Sequence, residues 1–268
     1  MRKKTTSHPT RNTLRLLIVF CCLVALAIIA SLTYRLVQLI RDSNVDNVSF
    51  VLLAISTPSD LTLIGLNTDQ KTLAQVTIKG SASSQEKRRQ LAVIPDGTVT
   101  LEQLYGGADK TAGLLLRAFL HKDQVRSNLS SYDLLRLALM FQTVAPNSIE
   151  TEVIALPQDG ATSDDVLAEL FSDTTLTQEN KSIAVVNATG VAGLGKEVER
   201  VITIRGGNVI SVTNDEQMRE HSVIRNSIGK NYTVSRLKSF LDLPVEENTR
   251  KDLSDIMVII GKDFIDNL

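Results

Sequence analysis

The sequence predicts an α/β (α+β) protein with three parts: an N-terminal transmembrane helix, a small mixed α/β domain and a C-terminal two-layer sandwich. Three observations lead to this prediction. Residues 16–34 are uncharged and mostly apolar. Residues 48–157 begin with short apolar runs and continue with helical patterns. From residue 181 onward the patterns alternate in the order β-α-β-β-α-β, which is typical of two helices on one face of a four-stranded sheet.

The N-terminal apolar run has the length and flanking charges of a membrane anchor. As a helix, Leu16–Tyr34 would extend about 29 Å, close to the roughly 30 Å thickness of a hydrocarbon core. Basic residues precede the run at five positions, Arg2, Lys3, Lys4, Arg11 and Arg15. The positive-inside rule therefore predicts a cytoplasmic tail of residues 1–15 and an extracellular C-terminus. A cleaved signal peptide is the alternative, although the run is long for the apolar part of such a peptide.

Charge and cysteine usage exclude several classes of function. Residues 1–41 hold seven Lys and Arg and no acidic residue, which leaves 22 basic and 30 acidic residues in the remainder. This acidic body lacks the basic surface that nucleic-acid binding requires. Cys21 and Cys22 both lie in the apolar run, so the exterior can form neither a disulfide nor a thiolate metal site. We therefore expect no bound cofactor and no nucleic-acid partner.

The mixed domain begins with strands and continues with helices. We predict a polar loop over Ser81–Gln90, because this segment has no apolar periodicity. Ser130 and Asp133 have the spacing of a capping box before the second helix. The predicted strands are Phe50–Ile55, Leu61–Leu66, Thr72–Ile78, Leu91–Ile94, Thr98–Leu101 and Ile149–Leu156, and the predicted helices are Lys110–His121 and Ser131–Val144.

A linker and a second domain complete the chain. Residues 158–180 are acidic and polar, and Ser163 is positioned to cap a helix over Asp164–Phe171. In the C-terminal domain Gly206 and Gly207 are typical of a helix end. The predicted strands there are Ile183–Val186, Val209–Val212, His221–Ile228 and Ile256–Ile260. One predicted helix ends before Gly206 and has apolar residues at helical spacing, namely Val191, Leu194, Val198, Val201 and Ile202, and the other is Thr233–Leu243.

Three separated motifs of the last third resemble the LytR C-terminal domain. They are Val186–Leu194 (VNATGVAGL), Arg205–Val209 (RGGNV) and Ile259–Phe264 (IIGKDF). More weakly, Val51–Ile64, Val76–Ile78 and Tyr105-Gly106-Gly107 resemble the LytR-CpsA-Psr core, which attaches glycopolymers from a polyprenyl-pyrophosphate carrier to peptidoglycan with the help of a metal ion. That resemblance implies a cell-envelope protein.

The core-like region departs from this family at its catalytic positions. The family has Pro-Arg-Asp after its third strand, where this chain has Lys79, Gly80 and Ser81. Only Asp60 matches an acidic position, and one carboxylate without basic partners cannot support phosphoryl transfer. We therefore expect no catalytic residue, and a protein that binds cell-wall polymer or an envelope protein. The alternative is a phosphotransferase or ligase dependent on Mg²⁺ or Mn²⁺, with Asp60 as a metal ligand.

Two segments are candidates for ligand contact. The turn containing Asn187, Thr189, Gly190 and Gly193 precedes a helix, where backbone N–H groups favour an anion; a structural strand-to-helix turn is the alternative and the one we favour. The run Lys87-Arg88-Arg89 could contact a phosphate, although such runs are more often solvated.

Overall fold

The computed structural model describes residues 11–41, 43, 48–57, 60–80, 82–101, 111–120, 125–155, 160–248 and 253–265. It divides the chain into two compact units, Met1–Ser43 and Asn44–Leu268. The predictions for residues 1–10, for Tyr105-Gly106-Gly107 and for His121 lie outside the described residues. The mixed α/β class is confirmed, with two mixed sheets in the second unit.

Helices and strands follow one another in chain order. They are α1 (Arg11–Arg41), β1 (Phe50–Ser56), β2 (Asp60–Asn67), β3 (Thr72–Lys79), α2 (Ser84–Gln90), β4 (Gly97–Thr100), α3 (Thr111–Leu120), β5 (Arg126–Ser127), α4 (Ser131–Gln142), β6 (Ile149–Ala155), α5 (Gly160–Phe171), α6 (Thr174–Glu179), β7 (Ser182–Asn187), α7 (Leu194–Ile204), β8 (Asn208–Asn214), β9 (Val223–Asn226), α8 (Tyr232–Leu241), β10 (Val245–Glu247) and β11 (Ile256–Ile260).

The described residues of the first unit form one long helix, α1. Its described large apolar side chains are exposed, among them Leu16 at 71% and Phe20 at 65%. Among the described residues, no helix meets the length and apolarity needed to cross a membrane.

The first sheet has the order β5-β4-β1-β2-β3-β6. Its centre is the antiparallel meander β1–β2–β3, to which β4 and β6 add in parallel on either side. Alternation along β1 assigns side chains to the two faces, because successive residues of a strand point in opposite directions. Val51 and Leu53 belong to a cluster with α3 and α4, whereas Phe50 and Leu52 belong to a second cluster on the other face.

The second sheet has the order β10-β9-β11-β7-β8. Helices α7 and α8 pack on one of its faces, in a cluster with Ile183 of β7 and Val258 of β11. This is the cluster that contains Phe50 and Leu52, so the two sheets share one hydrophobic core. The opposite face carries a small cluster of Ala188, Val223 and Ile259, which contains no helix residue among the described ones.

Several local predictions are confirmed by the described geometry. Ser130 and Asp133 form the reciprocal hydrogen bonds of a capping box at the start of α4. Gly206 adopts a φ of 89° directly after α7, as a helix-ending glycine does.

Three local predictions are wrong. The predicted loop over Ser81–Gln90 contains α2, whose N-terminus is capped when Ser83 Oγ accepts from the Glu86 N–H. The segment Leu91–Ile94, predicted as a strand, is irregular because Ala92 has a φ of 50°, which is incompatible with extended backbone. Leu91 and Ala92 are nevertheless buried. Ser163 does not cap α5, which begins three residues earlier at Gly160.

Three further elements were not predicted, the first of them the two-residue strand β5. Helix α6 lies in the segment interpreted as a linker, and its N-cap is Asp173. Strand β10 adds a fifth strand to the C-terminal sheet, beside β9. It is only three residues long and contains two glutamates, so no apolar pattern marks it.

Candidate functional site

The turn of Asn187, Thr189, Gly190 and Gly193 lies between β7 and α7. Asn187 Oδ1 accepts hydrogen bonds from the backbone N–H and the hydroxyl of Thr189 at 3.1 and 2.6 Å, and its Nδ2 donates to the Val191 carbonyl at 2.8 Å. Both side chains are buried. Gly190 and Gly193 have φ values of 79° and 87°, which non-glycine residues rarely adopt. The polar side-chain atoms thus bind the turn itself, and a role in ligand contact stays a prediction.

The run Lys87-Arg88-Arg89 lies on α2 and not in a solvated loop. Lys87 is 2% exposed, and Arg88 is partly buried with an Nε that has no described hydrogen-bond partner. Burial lowers the pKa of Arg88. Arg89 lies 3.8 Å from Glu197 of α7. The three side chains thus differ in burial, and phosphate contact by this run stays a prediction.

Asp60 is the first residue of β2. Its backbone N–H and carbonyl bond to Thr57 and close the turn before the strand. Across the described part of the chain, no three His, Cys, Asp or Glu side chains lie close enough together to hold a metal ion. A role of Asp60 as a metal ligand stays a prediction.

The polar feature that joins the two sheets is a group of four buried charged side chains, Asp96, Asp173, Arg205 and Arg236, here called the ionic cluster. Asp96 precedes β4, Asp173 caps α6, Arg205 ends α7 and Arg236 lies on α8. Each side chain is at most 2% exposed. Two positive and two negative charges balance, which is the condition under which buried charges are tolerated.

Asp96 lies at the centre of the ionic cluster. Its Oδ2 accepts from Arg205 Nη2 at 3.1 Å and from the Leu52 N–H at 2.7 Å. Arg236 donates to both of its oxygens, through Nη1 at 3.2 Å and Nη2 at 3.3 Å. One carboxylate thus joins β1 of the first sheet to both helices of the second.

The pKa values of the ionic cluster follow from its contacts. Burial alone would raise the pKa of Asp96, but the two guanidinium groups and the Leu52 N–H outweigh it and lower that pKa. Burial alone would lower the pKa of Arg236, but its two carboxylate partners raise it. Arg205 has one carboxylate partner and is repelled by Arg236, so burial dominates and lowers its pKa.

Arg205 is the least satisfied member of the cluster. Its Nη2 bonds to Asp96 and to the Ile94 carbonyl, but Nε and Nη1 have no hydrogen-bond partner among the described residues. The guanidinium carbon lies 5.8 Å from the ring centre of Phe50 and 5.3 Å from that of Phe240. Cation–π attraction to these two rings offsets part of the missing hydrogen bonding.

Asp173 extends the network to α6 and α8. Its Oδ2 accepts from Arg236 Nε at 3.1 Å and from the Tyr232 hydroxyl at 2.6 Å. Its Oδ1 accepts from the Ser49 hydroxyl at 2.9 Å and caps α6 by accepting from the Thr175 N–H. Burial, followed by the bond to Asp173, raises the pKa of Tyr232 to about 12. Tyr232 therefore stays neutral at physiological pH. The hydrogen bonds of Asp96 and Asp173 connect the two sheets, so the role of the ionic cluster is structural.

No pattern in the sequence marks the ionic cluster as a site. Arg205 stands out only as the first residue of the motif Arg205–Val209. Arg236 offered one signal, since it lies beside Leu237 and four residues before Phe240, on the mostly apolar side of α8. A cation at such a position needs a buried partner, but nothing in the sequence identifies that partner.

Comparison with known families identifies the C-terminal part of the chain. Residues 180–264 match the family described as "LytR cell envelope-related transcriptional attenuator". This segment is a LytR C-terminal domain. It contains β7 to β11, α7 and α8, together with Arg205, Arg236 and Tyr232 of the network. Asp96 and Asp173 lie outside the match, so the buried arginines of the LytR C-terminal domain are neutralised by residues that precede it.

Comparison with solved structures gives low similarity. The transcriptional regulator yvhJ from Bacillus subtilis is 12% identical, with a TM-score of 0.31 over 39% of this chain and 82% of that one. The putative transcriptional factor Lmo1026 from Listeria monocytogenes is 9% identical, with a TM-score of 0.30 over 39% and 81%. The Lin1025 protein from Listeria innocua is 11% identical, with a TM-score of 0.19 over 69% and 88%. Comparison with curated proteins gives no significant match.

Proposed function

We propose that this chain is a membrane-anchored, extracytoplasmic protein of the cell envelope that binds a cell-wall polymer or an envelope partner and has no catalytic activity. The observation that carries the proposal is the LytR C-terminal domain at residues 180–264, which associates the chain with the cell envelope.

The proposed anchor is the apolar run Leu16–Tyr34 within α1. It rests on the sequence of the run and not on a span identified in the structure. The 31 residues of α1 extend about 46 Å at 1.5 Å per residue. A helix that exposes large apolar side chains such as Leu26 and Ile29 to water would be unstable, whereas lipid would solvate them. The basic N-terminal flank then orients the chain with its C-terminus outside.

Cysteine labelling in intact cells tests this orientation. In a background with Cys21→Ser and Cys22→Ser, we introduce Met218→Cys at a side chain that is 64% exposed. We expect a membrane-impermeant maleimide to label this cysteine without permeabilisation. The matched control is Thr6→Cys in the predicted cytoplasmic tail, which should react only after permeabilisation. Labelling of the control alone in intact cells would contradict the proposed orientation.

Co-sedimentation with purified cell walls tests the binding role. Residues 44–268 are suited to this assay, because the described hydrophobic clusters contain no residue of the N-terminal unit. The assay uses two wall preparations in parallel, one with and one without anionic polymers. We expect the amount of this unit that pellets with the walls to saturate as its concentration rises. An acidic protein of similar size is the control for trapping. Failure to pellet with either preparation would contradict polymer binding and leave an envelope protein as the proposed partner.

A further inference from the structure

A polar cleft opens beside the ionic cluster. Its volume is about 430 Å³, within the range of small-ligand sites. One wall is the loop between β2 and β3 with the start of β3, the second is the turn that leads into β6, and the third is the end of α5 with the start of α6. Phe50 and Leu73 form part of its apolar floor.

The lining of this cleft is rich in neutral hydrogen-bonding groups. Among the described lining residues, seven side chains carry an amide or a hydroxyl, two carry a carboxylate, and none is Lys or Arg. Gln70, Thr72 and Asn147 are exposed, and within the described residues no side-chain hydrogen bond occupies them. The carboxylates of Glu150 and Glu169 are exposed and likewise lack an ion pair within the described residues. Donors and acceptors are thus available to a ligand, without a cation to attract an anion.

Hydrogen bonds made by the lining residues themselves hold the walls of the cleft in place. Asn67 Oδ1 accepts from the N–H groups of Asp69 and Gln70 at 3.1 and 2.9 Å, which fixes the loop that carries Gln70. Asn67 Nδ2 donates to Thr174 Oγ1 at 3.4 Å and links two of the walls. Thr174 follows Asp173, whose carboxylate caps α6 and pairs with Arg236. Such a preformed site loses little conformational entropy when a ligand binds.

We infer that this cleft binds an uncharged, hydroxyl-rich saccharide segment of a cell-wall glycan and rejects anionic polymers. The inference rests on the proposed function and names the polymer class. Carboxylates accept hydrogen bonds from sugar hydroxyls, while amides both donate and accept, so the lining matches alternating hydroxyl and acetamido groups. Glu150 and Glu169 repel phosphates and uronates, and none of the described lining residues is a cation that would compensate them. The dominance of neutral groups favours a saccharide over a cationic peptide.

A titration of the 44–268 unit with N-acetylchitotetraose tests the inference. We expect saturable binding by NMR, with shifts in the side-chain amide signals of Gln70 and Asn147. The double variant Q70A/N147A should bind about tenfold more weakly, since two hydrogen bonds are lost. The control variant Q142A removes an exposed amide on α4, which does not line the cleft, and should bind as the unaltered unit does. All variants alter exposed side chains, and circular dichroism checks that they fold.

Two further ligands complete the test. A glycerol-phosphate oligomer should not bind the unaltered unit, and the E150Q/E169Q variant should bind it measurably better. A lysine-rich peptide should not compete with the saccharide. The inference is overturned if the saccharide does not bind, if Q70A/N147A binds it unchanged, or if the oligomer or peptide binds more tightly. Wall co-sedimentation distinguishes the two proposals: a unit that pellets with walls but ignores the saccharide refutes the cleft assignment alone.

Discussion

Replacing Asp96 with alanine is expected to lower the free energy of unfolding of the 44–268 unit by about 3–5 kcal/mol, the usual cost of removing one partner from a buried ion pair. The Asp96 carboxylate is the only described anionic partner of Arg205 and one of two for Arg236. Its loss leaves Arg236 paired with Asp173 alone and Arg205 without an ion pair among the described residues. It also removes the acceptor of the Leu52 N–H. Urea denaturation followed by circular dichroism measures the change.

The matched control for Asp96 is Asp164. This residue forms a two-point bond with Arg200, at 2.8 and 2.7 Å, but both side chains are about 30% exposed. Water screens such pairs, so Asp164→Ala should cost about 1 kcal/mol or less. Equal effects of the two substitutions would contradict the central role assigned to Asp96.

The lowered pKa of Asp96 also predicts a dependence on pH. Because the folded state binds the Asp96 proton less tightly than the unfolded state, the ionised carboxylate adds stability above the ordinary carboxyl pKa of about 4. That contribution is lost as the pH falls through the lower pKa of the folded state. The unaltered unit should therefore lose stability more steeply below about pH 4 than the Asp96→Ala unit does, as urea midpoints at several pH values will measure.

The sequence was sufficient to predict the elements that carry their own pattern. The strands β1, β2 and β3 are apolar runs separated by turn residues, and each was predicted to within a residue or two. Helix α2 was missed because its composition is polar, although Ser83 and Glu86 have the spacing of an N-terminal cap. Helix α6 was missed because six residues are too few to display helical periodicity.

The candidate sites depended on contacts that a sequence does not display. Arg205 is 109 positions from Asp96, and Arg236 is 140 positions from it. Their partnership arises only because Phe50, Leu52 and the inner faces of α7 and α8 form one core. The run Lys87-Arg88-Arg89 is an example in which local composition misleads. Three adjacent cations suggest a charged surface, but Lys87 is buried in the folded protein. Long-range packing, rather than local composition, decides the environment of each charge.

The LytR C-terminal domain on its own, as residues 180–268, is expected to lack cooperative folding at 25 °C. Removal of the preceding residues separates Arg205 and Arg236 from Asp96 and Asp173. It also exposes the faces of α7 and α8 that share a core with Phe50, Leu52 and Phe171. Together, the lost ion pairs and the newly exposed apolar surface cost more free energy than the marginal stability of a domain this small can offset. Thermal unfolding followed by circular dichroism, with the 44–268 unit as reference, measures the outcome.

Fragment complementation separates this explanation from a general defect of short chains. If the shared core and the ionic cluster are what the truncated domain lacks, then a second fragment of residues 44–179 should restore them on mixing, and the restored complex should unfold cooperatively. The fragment with Asp96→Ala should restore much less, since it supplies the apolar surface without the central carboxylate. A truncated domain that unfolds cooperatively at the temperature of the intact unit would instead mean that the two arginines find adequate hydration or partners within residues 180–268.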